Sequence, residues 1–121
     1  MSIKSLFATL VLSICLIAPA LAGSFKDGVA AYDRKDYAAA LWIFRPLAEQ
    51  GNASAQNNLG VMYAIGNGMP QDYVEAHKWA NLAAAQGNKV AKEFMDSIAA
   101  RMTSDQIAEA QRLAREWKPR K

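Results

Sequence analysis

Cysteine is almost missing from this sequence, and the single one, Cys15, stands in an apolar stretch near the start. Were that stretch removed, the remainder would hold no thiol, which excludes disulfides, a thiolate nucleophile and cysteine-ligated metals together. Histidine is equally scarce. His77 is the only one, and no serine or cysteine stands at a recognisable nucleophile spacing from it, so the residues nominate neither a catalytic dyad nor a cluster of metal ligands. No pair of carboxylates suggests itself for glycoside hydrolysis either. Sheet-forming residues are few: residues 23–121 contain nine Val, Ile or Thr against 20 Ala, a composition that favours helix. Strong charge of one sign is absent as well. The formal net charge is +3, and with Lys4 set aside 13 basic residues face 11 acidic ones, too mild an excess to point to nucleic acid.

What is present divides the chain in two. Residues 1–22 hold 16 apolar residues and one charge, Lys4, while residues 23–121 carry 24 of the 25 charged residues. Lys4, the apolar run from Leu6 to Ala18, Pro19 and the small-residue pattern Ala20-Leu21-Ala22 read as a secretory signal peptide cleaved after Ala22. The run is about thirteen residues, short of the roughly twenty that a membrane-spanning helix needs, so an uncleaved anchor is the lesser alternative. Cys15 follows Ile14, where lipid attachment requires a small residue, and reads as apolar filler. The expected location is the periplasm or the exterior, with no stable membrane insertion after cleavage.

Beyond Ala22 the punctuation at Gly51-Asn52, Gly66-Asn67-Gly68-Met69-Pro70, Gly87-Asn88 and Met102-Thr103 predicts helices over about 24–34, 36–50, 53–65, 71–86, 88–101 and 103–118. Asp36 and Asp72 open two of them, where a carboxylate meets unpaired backbone N–H groups. Pro70 is expected at a helix start. Thr103 and Gln106 form a capping box for the last helix, which sets Ile107, Ala110, Ala114 and Trp117 on one face as a docking stripe over the hairpin that ends near Ala100. Pro46 falls inside the second helix and removes the bond to the Trp42 carbonyl, so a kink or break is expected there.

The chain also repeats itself. A shift of 36 residues superposes Asp36-Tyr37 on Asp72-Tyr73, Ala40 on Ala76, Ala48 on Ala84, Gln50-Gly51-Asn52 on Gln86-Gly87-Asn88 and Ala55 on Ala91, eight identities in the twenty positions from 36 to 55. Two helices per period of this length is the arithmetic of a helical-hairpin solenoid, whose units bury their apolar faces only by stacking. Function is then expected on a surface.

Within that repeat, Ala55, Leu59-Gly60, Tyr63, Gly66, Gly68-Met69, Asp72, Ala76, Trp79, Ala83-Ala84, Gly87 and Ala91 stand at the spacing of a Sel-one-like repeat, a relative of the tetratricopeptide repeat with a longer loop in the hairpin. Met69 replaces the more usual Val. Residues 23–54 resemble a degenerate first repeat, with Ile43 where the pattern has Trp; 55–91 a full one; 92–121 a closing helix, a capping helix and a basic tail. The resemblance implies an all-α, short α/α superhelix of antiparallel hairpins. It also implies a non-enzymatic adaptor or scaffold with protein partners and no cofactor, commonly working through the concave face. Cysteine-rich members of the superfamily are associated with penicillin binding or hydrolysis, which leaves a β-lactam- or peptidoglycan-directed protein as the alternative, although their disulfide pattern is missing here. Self-association of so short an array is a third reading.

The pattern residues have mechanical explanations: Gly60 and the alanines for close helix approach, Tyr63 and Trp79 for packing, Gly66 and Gly68 for positive φ in a turn. Gly66-Asn67-Gly68 lacks the Gly-Lys-Ser/Thr end of a phosphate cradle. His77 is expected as a half-exposed packing residue, and Asp72, Glu75, Lys78 and Lys89 as solvated charges. Two sets of residues are candidates for partner contact: Phe25, Trp42 and Phe44 in the first repeat, and the basic tail, with Arg112, Arg115 and Lys118 followed by Arg120 and Lys121.

Overall fold

The computed structural model describes residues 23–121; the leader expected over 1–22, Cys15 included, lies outside the described residues. Six helices follow one another: α1 (Phe25–Asp33), α2 (Tyr37–Glu49), α3 (Ala53–Ile65), α4 (Tyr73–Ala85), α5 (Lys89–Ala99) and α6 (Ser104–Glu116). No strand occurs among the described residues.

Every one of these helices starts on a side-chain cap, and the caps repeat with the sequence. Asp36 accepts from Ala39 N and Asp72 from Glu75 N; Asn52 accepts from Ala55 N and Asn88 from Ala91 N. Each satisfies a backbone donor that the first turn cannot. Thr103 and Gln106 make their reciprocal box, and Ser24 with Asp27 makes another at α1 that the sequence reading passed over. Pro70 is not at a helix start: Asp72 is the cap, and Pro70 lies in the loop ahead of it. α2 runs unbroken through Pro46, with Gln50 N bonding to the Pro46 carbonyl. The orphaned Trp42 carbonyl is tolerated because Trp42 and Pro46 both lie on the solvent side, where water can take that bond.

The core is built largely of alanine. Ten of the fifteen buried hydrophobic residues are Ala, so the helix axes come close and a few large side chains, Phe44, Leu59, Met62, Trp79 and Ile98, supply most of the buried area. Gly28 and Gly60 carry this further. A Cβ on Gly60 would sit 3.0 Å from the Ala76 carbonyl of α4, and one on Gly28 would meet the Phe44 ring at 2.6 Å.

A polar staple joins the repeats. Gln56 is fully buried, donates to the Ala48 carbonyl (3.1 Å) and accepts from Gln86 (2.9 Å), which also donates to the Gly51 carbonyl. Both ends of the buried amide are thus satisfied, and the turn after α4 is tied to the turn after α2.

α4 sits at the centre, packed against α3, α5 and α6. The last helix packs on the hairpin that ends near Ala100, as expected, and does so through α4, with Ala110 fully buried. Trp117 is not helical but the extended residue after α6, where its ring meets Trp79 edge-on at 6.2 Å and comes to Gly51. The chain then returns to the first repeat: Arg120 N donates to the Glu49 carbonyl (2.7 Å) and its guanidinium pairs with the Glu49 carboxylate (2.8 Å).

Two substitutions test this packing. Trp117→Ala is expected to cost roughly 2–4 kcal/mol in urea unfolding, a little below the usual loss for a fully buried Trp because this ring is half-buried, whereas Arg115→Ala should stay within about 0.5 kcal/mol. Gly28→Ala should destabilise by about 1–3 kcal/mol despite the better helix propensity of Ala, because the fully buried Phe44 ring has no room to retreat. An unchanged urea midpoint for either core variant would contradict the close packing described.

Candidate docking face on the second helix

The buried stripe of α2 is Ala40, Phe44 and Ala48, at spacings of four. Its opposite side carries Ala38, Leu41, Trp42, Arg45, Pro46 and Glu49, and α1 and α3 are the helices that pack substantially on α2. The side left open forms a groove of about 690 Å³, closed at one end by Gly68 of the α3–α4 loop and at the other by Arg120 of the tail. Trp42 is 75% exposed within it. Its floor is apolar, from Leu41, Trp42 and Pro46, and its rim is charged.

Arg45 is held in place from behind. Both terminal guanidinium nitrogens lie 3.3 Å from the Tyr63 hydroxyl, and the guanidinium carbon is 5.9 Å from the Tyr63 ring centre. Tyr63, half-buried on α3, thereby packs the repeats and also orients a groove residue. A smaller cleft of about 220 Å³ lies between α1 and α3, lined by Val29, Tyr32, Asp33, Asn58 and Val61.

The other candidate residues divide. Phe44 is fully buried and cannot face a partner; the stripe of Ala40 and Ala48 carries it into the core, where Phe25 tilts against it at 5.5 Å between ring centres. Phe25 is half-buried in the same cluster. Arg112 is clamped by Glu109 (2.6 and 2.9 Å) and Glu116 (2.7 Å), bonds that hold the Glu109 carboxyl below its ordinary range and raise the pKa of the guanidinium still further. Arg115 and Lys118 are exposed and make no ion pair among the described residues. Arg45 and Glu49 were not singled out from sequence, although a helical projection of α2 places them opposite the Phe44 stripe; Arg120 was named only as part of the basic tail, not as a neighbour of α2.

A family model for the Sel1 repeat matches residues 23–52 and 53–88. The chain belongs to the Sel1 repeat family. No curated protein matches the chain. In this Sel1 repeat protein the pattern residues are found at the contacts that hold the hairpins together. Ala55, Leu59, Gly60, Ala76, Trp79, Ala83 and Ala91 are buried, and Ala84 is half-buried. Asp72 caps α4; Gly66 ends α3 at φ 84°, Gly68 turns beside Tyr37 at φ 81°, and Gly87 closes the turn after α4.

Two side chains of α4 depart from expectation. Lys78 is not a solvated charge but half-buried, 2.8 Å from Glu75 and 4.3 Å over the Trp79 ring. His77 is 3% exposed, not half-exposed, and its Nδ1 has no hydrogen-bond partner. Among the described residues no three His, Cys, Asp or Glu converge on a metal position. Burial disfavours the imidazolium and lowers the His77 pKa from its ordinary 6.5, while the Asp96 carboxylate opposes this to a lesser degree.

As pH falls through the unfolded value of about 6.5, the unfolded chain takes up a proton that the folded chain refuses. Stability should therefore decline with acidification from that point and level off once the folded imidazole also titrates. Thermal unfolding across this range is expected to show the decline in the wild type and a flatter profile in His77→Leu; matching profiles would exclude His77 as its source.

Proposed function

We propose that this Sel1 repeat protein is a non-enzymatic adaptor of the bacterial cell envelope or secretome, and that it engages a protein partner through the open side of α2. Sel1 repeats generally mediate protein–protein interaction and are typically non-catalytic. The single observation that supports this docking face is Trp42, a large aromatic held out of the core on an intact helix, in a groove with ends and a charged rim. Aromatic anchors ringed by polar groups are the usual centre of a binding interface. The envelope or secreted location rests on the leader expected over residues 1–22. Among the described residues no helix is long and apolar enough to cross a membrane.

A photo-crosslinking side chain in place of the exposed, groove-lining Ala38 is expected in living cells to capture a discrete protein, whereas one at the exposed Ile65 should not. Trp42→Ser should abolish capture by the purified protein while leaving its melting temperature unchanged, because the ring contributes little to the core. The recovered protein should begin at Gly23 by mass. Equal capture from both positions, or none from position 38, would remove α2 as the docking face.

A further inference from the structure

The α2 groove carries more chemistry than an apolar patch. Arg45 has five N–H donors, and the Tyr63 hydroxyl is the acceptor it meets; no carboxylate lies within ion-pair distance of it among the described residues. It is nevertheless oriented from behind, so a ligand would pay little to order it. At the far end Arg120 is paired with Glu49, and in the tail Lys118 and Lys121 stand close to Arg120 in sequence, both exposed and without an ion pair among the described residues. Cations thus outnumber the one carboxylate of the groove. The groove lining carries a small positive excess, Arg45 and Arg120 against Glu49, beside an apolar floor.

We propose that the groove binds an extended, acidic polypeptide segment, with an apolar side chain seated on Leu41, Trp42 and Pro46 and a carboxylate received by Arg45. This rests on the reading of α2 as the docking face and adds the chemistry of its partner. The register follows from geometry. Trp42 and Arg45 are three residues apart on a helix, about 5–6 Å between Cβ atoms, and an extended chain covers that distance in two residues at about 3.3 Å each. Residues two apart on an extended chain also face the same side. The recognised pattern is therefore an apolar residue and Asp or Glu separated by one position. α2 has 13 residues and a length of about 20 Å, room for about six extended residues. The loop at Gly68 and the tail at Arg120 end the groove at both sides, a shape that suits a segment better than the flat surface of a bilayer.

Panning the full-length protein against a random-sequence peptide library tests this, with selected peptides resynthesised and titrated by fluorescence anisotropy. The expected selection is rich in Asp or Glu two positions from Phe, Leu, Ile or Trp, is lost with Trp42→Ser, and binds less tightly at high salt. Replacing that acid in the peptide by its amide should weaken binding about tenfold, as should Arg45→Gln. Arg45→Glu should turn the selection toward basic peptides, which a merely structural arginine would not do. The peptide substitution tests the same contact should an Arg45 variant fail to fold. Trp42-dependent peptides without an acidic preference, or with affinity indifferent to the amide substitution, would overturn the carboxylate assignment and leave α2 standing as a docking face. Peptides indifferent to Trp42, or binding to anionic phosphatidylglycerol vesicles with no peptide selected, would overturn both.

Discussion

Close approach of helices across alanine and glycine is the constraint on which the other features depend. Where Ala31, Ala40, Ala48, Ala55, Ala76, Ala80 and Ala83 line the contacts, backbones come near enough for short hairpins to stack, at the cost of apolar area per contact. The few large side chains then become anchors. Phe44 fills the space left by Gly28, and Trp79 receives Trp117 from beyond the last helix. The buried amide of Gln56 can exist there because Ala48 and Gln86 satisfy it, and it links two turns that alanine alone would leave free to slide.

The same economy makes the open face of α2 conspicuous. A helix whose inner stripe is Ala, Phe and Ala has given its largest residue, Trp42, to the solvent side, and a proline that could have broken it sits on that side too. The helix persists because its inner face is packed on α1 and α3. Rigid support under an exposed aromatic lowers the ordering cost of binding, as does the Tyr63 hydroxyl beneath Arg45. On the proposed docking face, framework and recognition would share residues, with a pattern position such as Tyr63 belonging to both.

Local signals in the chain were readable from residues alone because their physics is local. Asp36, Asp72 and the Thr103–Gln106 box cap helices wherever those helices pack, and the 36-residue shift reappears as paired caps at Asp36 and Asp72 and at Asn52 and Asn88. What could not be read depended on which helix meets which. The burial of Phe44 and His77, the seat of α6 on α4 and the contact of Arg120 with Glu49 are set by tertiary packing, to which composition and periodicity are blind. Of the kink or break expected at Pro46, the break does not occur, for a related reason: the cost of a lost backbone bond depends on whether water can replace it, and that is decided by the face on which it falls.

The pairing of Arg120 with Glu49 joins residues 71 positions apart. An open helical array behaves as a row of units coupled to nearest neighbours, and its ends fray independently. With the last residues fastened to the first repeat, fraying at the C-terminal end must also release a contact of the second helix. The chain then resembles a ring more than a row, with that clasp formed late because its closing loop spans most of the folded residues.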